Sequence, residues 1–224
     1  MPIKPLALAT LLCAGLAIAS APWALDAAWL NMIFKPLTTV LIIAHAWAGG
    51  GQRPAVRRWL LAGLALSLIG DVALIWPQRG FLPGLVAFLL AHIAYIVGFT
   101  REHRFLAKPV ALTIYALVAG SVLALLWPSV PAGLRVPVAC YVLALTAMSA
   151  QTAVVGLASR HDDLRRGRVL MLGGALFMTS DALLATNKFA MPLPAATLWI
   201  LATYWMAQWC IASWLRPVRA GPAR

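Results

Sequence analysis

Apolar residues run along this 224-residue chain in eight blocks, parted by short polar or glycine- and proline-bearing punctuation. A membrane-crossing helix needs roughly 20 mostly apolar residues. Blocks of about that length lie over 5–21, 28–48, 57–76, 82–100, 109–127, 134–157, 168–187 and 195–215. The pattern predicts an all-α integral membrane bundle of eight transmembrane helices, read as one transmembrane domain over 1–224 that ends in a short basic tail, 216–224. The separators are brief, such as Gly49-Gly50-Gly51-Gln52-Arg53-Pro54 and the charged stretch from Arg160 to Arg168. None is long enough for a soluble domain.

Two polar residues break this pattern most sharply. Asp71 sits inside the third block, in Ser67-Leu68-Ile69-Gly70-Asp71-Val72-Ala73-Leu74, and Asp181 inside the seventh, in Met178-Thr179-Ser180-Asp181-Ala182-Leu183-Leu184. Both read small residue, Asp, two residues, Leu, and each stands 13 residues after an arginine, Arg58 or Arg168. A carboxylate in hydrocarbon is costly and marks a functional site by default. The near-repetition extends further, because each Asp block is followed by one with a polar pair: His92 and Tyr95, then Tyr204 and Gln208. The chain therefore reads as two four-helix halves, 1–105 and 106–215, in parallel orientation.

Composition agrees. Hydrophobic residues make up 62% of the chain and charged ones 11%, against about 25% charged in soluble domains. Of the six acids, Asp26, Glu102, Asp162 and Asp163 fall between blocks. The net charge of +12 raises nucleic acid as a partner, but the basic residues are scattered over short loops with no aromatic-interleaved patch. They instead set orientation. The N-terminus, alternate loops and the C-terminal tail carry 14 Lys and Arg, the opposite loops only Arg79, Arg135 and Lys188, with Lys35 inside the second block. That asymmetry predicts both termini on the cytoplasmic side. Lys4, an apolar stretch and Ala19-Ser20-Ala21 imitate a cleavable signal, but the four-helix repeat needs the first helix retained. Cys13, Cys140 and Cys210 lie inside apolar blocks with neither metal nor disulfide spacing and read as packing residues. The ten Trp read as interface belts and core packing.

Helical rise then sets depth. Thirteen residues from a cytoplasmic arginine place either Asp about 20 Å into the membrane, past the middle of a core of roughly 30 Å. Lys35 and Tyr141 enter from the opposite face to about 12 Å, and His92, Tyr95, Tyr204 and Gln208 reach the same slab. Ser67 lies one turn from Asp71 on the same face. This is the one-dimensional outline of a site in a bundle core, with Asp71 and Asp181 as catalytic candidates and the other seven in support. Each supporting residue has a plainer role open to it, since membrane Tyr, Gln and His often serve only to tie helices together. Lys35 can equally neutralise an Asp or snorkel to the interface. Two Asp and one His make a thin ligand set for a metal, and no cofactor is expected. The same groups also suit a proton-coupled small-molecule transporter, while a non-enzymatic lipid-binding protein would need the apolar pocket but not the acids.

On these residues the chain resembles the YhhN family of multi-pass membrane lysoplasmalogenases. The resemblance rests on Lys35-Pro36, the Asp71 motif, Phe88-Leu89-Leu90-Ala91-His92-Ile93-Ala94-Tyr95, the segment from Gly174 through Asp181 to Leu184, then Phe189, Tyr204 and Gln208. It implies hydrolysis of the sn-1 vinyl-ether bond of a lysoplasmalogen, without cofactor, by a membrane protein whose partner is a lipid. The enzyme would sit in the inner or plasma membrane of a bacterium, or the endoplasmic reticulum of a eukaryote. Vinyl ethers hydrolyse by protonation on carbon. An acid must therefore donate, and a negative charge must face the oxocarbenium ion, much as two carboxylates do in glycoside hydrolysis. Asp71 and Asp181 fit those two parts, with Lys35 keeping one of them ionised.

Overall fold

Prolines open three of the helices. Pro54, Pro77 and Pro109 occupy first-turn positions, where the missing N–H has no intrahelical partner to lose and the fixed φ suits the helix. In a computed structural model describing residues 3–49, 53–105, 107–159 and 163–215, the chain forms eight α-helices and, among those residues, no strand. They are α1 (Ile3–Ala19), α2 (Ala28–Trp47), α3 (Pro54–Ala73), α4 (Pro77–Thr100), α5 (Pro109–Leu126), α6 (Ala132–Ala158), α7 (Leu164–Ala185) and α8 (Ala196–Ser213). A 3₁₀ turn, Trp127–Ser129, follows α5, and a π-helical turn, Thr186–Ala190, follows α7. The linker residues 50–52 and 160–162 and the basic tail 216–224 lie outside the described residues.

All eight apolar blocks are helical, with ends shifted by a few residues. The largest shift is at α4, which starts at Pro77 and not near 82, because Pro77 nucleates the helix ahead of the apolar run. Among the described residues, five helices are long and apolar enough to cross a membrane: α2, α4, α5 with its 3₁₀ turn, α6, and α7 with its π turn. The apolar part of α1, Pro5–Ala19, is shorter, and α3 carries Arg57, Arg58 and Asp71 in 20 residues.

Burial follows the logic of a lipid-bathed protein. In α5, only Ala111, Ala119 and Leu126 are buried, while Val110, Ile114, Leu117, Val118 and Leu125 are exposed. Asp71, His92, Gln208, Thr39 and Ser67 are instead sealed inside. Apolar side chains outward and polar ones inward is the arrangement a bilayer favours, since lipid offers no partner to a polar group. The chain is an integral, multi-pass membrane protein.

Packing places α3 along α4, α7 along both α6 and α8, α2 against α1, α3 and α8, and α6 against α4 and α5. Raising every index by four carries α1–α2 to α5–α6, α2–α3 to α6–α7, α3–α4 to α7–α8, and α4–α6 to α8–α2. Small residues permit the close approaches. A Cβ on Gly63 of α3 would stand 2.3 Å from the Tyr95 ring of α4, and one on Gly174 of α7 would stand 2.0 Å from Thr152 Oγ1 of α6. Hydroxyls add ties between helices: Ser149 donates to the Gly174 carbonyl at 3.0 Å and Ser180 to that of Ile200 at 3.0 Å.

One end of the bundle is clasped by charge. Arg53, just ahead of α3, bridges Glu102 at 3.3 Å and Asp163 at 2.7 Å, and Asp163 also pairs with Arg166 at 2.8 Å. Arg166 in turn donates to the Trp214 carbonyl, and both guanidinium groups lie over the Trp214 ring. The ends of α3, α4, α7 and α8 are thereby held together.

Candidate active site

Two of the helices fastened by this clasp, α3 and α7, carry the acids. Asp71 stands near the end of α3 and is 1% exposed. Its Oδ2 accepts from Thr39 Oγ1 of α2 at 2.6 Å and from the Tyr204 hydroxyl of α8 at 2.9 Å. Lys35, one helical turn before Thr39 and also buried, acts on Asp71 electrostatically through space. Pro36 beside it lies inside α2 and withholds one backbone hydrogen bond from the helix.

Outside this first contact the network continues. Trp205 Nε1 donates to Thr39 Oγ1 at 3.3 Å, Gln208 Nε2 donates to the Tyr204 hydroxyl at 3.3 Å, and Tyr95 donates to Gln208 Oε1 at 2.8 Å. Ser67, one turn before Asp71, is buried beside the Tyr95 hydroxyl.

Asp181, on α7, is less enclosed, with 12% of its side chain exposed. Its Oδ2 accepts from the Tyr141 hydroxyl of α6 at 2.5 Å, and Tyr141 lies 3.1 Å from His92 Nε2 of α4. The imidazole itself approaches Asp181 to 3.9 Å. His92 is fully buried and its Nδ1 has no partner.

The two carboxylates share no hydrogen bond, yet their surroundings meet. The Phe177 ring sits edge-on to His92 at 4.8 Å and to Tyr204 at 5.6 Å. All nine residues singled out in the sequence thus lie in one connected region of the core, arranged as two centres.

The pairing crosses between the halves. Tyr204, which follows Asp181 in the chain, serves Asp71; His92, which follows Asp71, faces Asp181. Each Asp takes one contact from the helix preceding its own, α2 or α6, and one from α8 or α4 in the other half. Sequence order does not reveal this crossing; helix packing sets it. Sequence reasoning also passed over Thr39, Trp205 and Phe177. Thr39 was within reach, since it lies four residues after Lys35 on one helical face; Trp205 and Phe177 carry no signal that separates them from packing aromatics.

Chemically, the region offers two carboxylates, that of Asp71 buried and that of Asp181 largely so, with five hydroxyls and one imidazole, bounded by aromatic rings. That set can donate and accept protons in a water-poor setting, where charges are felt strongly.

Comparison with known proteins gives a consistent picture. The YhhN family profile matches residues 30–215. Lysoplasmalogenase TMEM86B of Homo sapiens is 33% identical over 183 residues, which cover 80% of this chain and 73% of that protein. Lysoplasmalogenase TMEM86A of Homo sapiens is 31% identical over 193 residues, covering 82% and 77%. An uncharacterized membrane protein YhhN of Escherichia coli O157:H7 is 34% identical over 103 residues, covering 44% and 47%. No solved structure matches.

Proposed function

The chain belongs to the YhhN family, and from that premise we propose that it is a membrane hydrolase cleaving the sn-1 vinyl-ether bond of lysoplasmalogens. The products are a fatty aldehyde and a glycerophospho-head group such as glycerophosphocholine or glycerophosphoethanolamine. The observation that carries this reading is a pair of carboxylates in a bundle core, each held by a tyrosine from another helix. It stands in a chain similar over four fifths of its length to proteins named lysoplasmalogenase.

The reaction asks for little more than these groups. A carboxyl gives its proton to the vinyl carbon away from the ether oxygen, and the double-bond electrons form the new C–H bond. The resulting oxocarbenium ion is stabilised by the second carboxylate, captured by water as a hemiacetal, and collapses to aldehyde and alcohol. Ser67 and Lys35 are the groups left to hold water or the head group, because Tyr95, Tyr204 and Gln208 are hydrogen-bonded to one another and to Asp71. The neighbour relations that persist on raising each index by four support two four-helix halves. With the loop charges they favour eight spans and cytoplasmic termini.

Purified protein in detergent, given a lysoplasmalogen and its alkyl-ether and acyl-ester analogues, tests the reading by mass spectrometry. Aldehyde release from the vinyl ether, with the alkyl ether untouched, is expected. No gradient is present in detergent, so turnover there separates hydrolysis from transport. Absence of aldehyde, or equal cleavage of all three lipids, would sink the proposal.

A further inference from the structure

Hydrogen-bond direction distinguishes the two acids. Around Asp71 it is fixed from outside. An indole N–H only donates, so Thr39 Oγ1 accepts from Trp205 and its single proton is left for Asp71 Oδ2. On the other side, Tyr95 donates to Gln208 Oε1, which turns the Gln208 amide N–H toward the Tyr204 oxygen and leaves the Tyr204 proton for the same Oδ2. Two hydroxyl protons converge on one carboxylate oxygen, which is thereby fixed as an acceptor.

Nothing fixes direction around Asp181. Tyr141 joins Asp181 Oδ2 and His92 Nε2, and carboxyl, phenol and imidazole can each donate or accept. Reversing both bonds moves a proton between carboxyl and imidazole. The far end of this chain, His92 Nδ1, is buried and unpartnered. Such an atom is costly to leave unsatisfied, and a bound water or substrate oxygen is the partner its chemistry calls for.

We propose that Asp181 is the carboxyl that protonates the vinyl carbon, with Tyr141 and His92 as its proton relay and capture-water site, and that Asp71 is the fixed carboxylate facing the cation. The assignment rests on the vinyl-ether reading above and adds the division of labour to it. Protons balance over the cycle. Asp181 loses one to carbon; the water held at His92 Nδ1 forms the new C–O bond and yields one to the imidazole. Tyr141 passes that proton back to the Asp181 carboxylate. Asp181 and Asp71 are catalytic residues in this scheme, Thr39 and Trp205 positioning residues.

Infrared spectra of the purified protein in lipid at neutral pH read the assignment without any substrate. The carbonyl stretch of a protonated carboxyl is expected to vanish in Asp181→Asn and to persist in Asp71→Asn. Tyr141→Phe, which keeps the ring and so the packing, is expected to shift that band and to slow turnover by about 10²-fold or more. A band lost in Asp71→Asn, no such band at all, or a band unmoved by Tyr141→Phe would overturn the proposal. Bands as expected without vinyl-ether turnover would count against the lipid reading and not against the placement of the proton.

Discussion

A carboxylate inside a lipid-bounded bundle is costly unless hydrogen-bonded, and Asp71 and Asp181 each meet that cost with a phenol from another helix. Those bonds orient the acids as well as stabilise them, since a tyrosine anchored at its ring delivers its hydroxyl to one point. Replacing either Asp by Asn keeps the shape and removes the charge and the exchangeable proton. Each single change is expected to cost about 10²–10⁴ in kcat, the usual worth of a general acid or base. If both serve one transition state, the double variant is little worse than the worse single, because residues acting as a unit are not additive. Steady-state kinetics on the three variants checks this, and losses that multiply would separate the two acids into independent sites.

Helices set the distances between these groups, and small residues and end charges set the helices. Gly63 admits the Tyr95 ring against α3, so Tyr95 reaches Gln208 and, through it, Tyr204 and Asp71. The clasp of Arg53, Glu102, Asp163 and Arg166 fixes the relative heights of α3, α4, α7 and α8. Arg53→Ala removes two charge-assisted contacts and a ring contact at once. A loss of about 1–3 kcal/mol is expected, the scale of hydrogen bonds to charged groups. Thermal unfolding in detergent measures it. The fall in kcat should be far smaller than for the acids. Unchanged stability would show that the clasp contributes nothing.

Across the whole molecule, the exposed faces are apolar, the polar groups are inside, and 14 of the 18 basic residues cluster on alternate loops and ends. Lys and Arg resist translocation, so a reporter fused after Arg224 is expected to register only on the cytoplasmic side. Registration on the external face alone would refute the eight-span orientation. The crossed partnership, in which α8 serves Asp71 and α4 serves Asp181, also makes the two halves mutually dependent. Neither half on its own holds a complete centre.

The eight helices were legible in the chain because a bilayer leaves few choices: long apolar runs must be helical, and their interruptions must be loops or sites. For the same reason Asp71 and Asp181 stood out, together with Lys35, His92, Tyr95, Tyr141, Tyr204 and Gln208, since polar groups at that depth need a reason to be there. Which group meets which was decided by packing alone. Helical rise gives depth, but the azimuth of each helix and its choice of neighbour depend on close contacts such as Gly63 against Tyr95 and Gly174 against Thr152. Those contacts separate the acids into two centres and cross their partners between the halves. They also recruit Thr39 and Trp205, whose role arises only where α2, α3 and α8 come together.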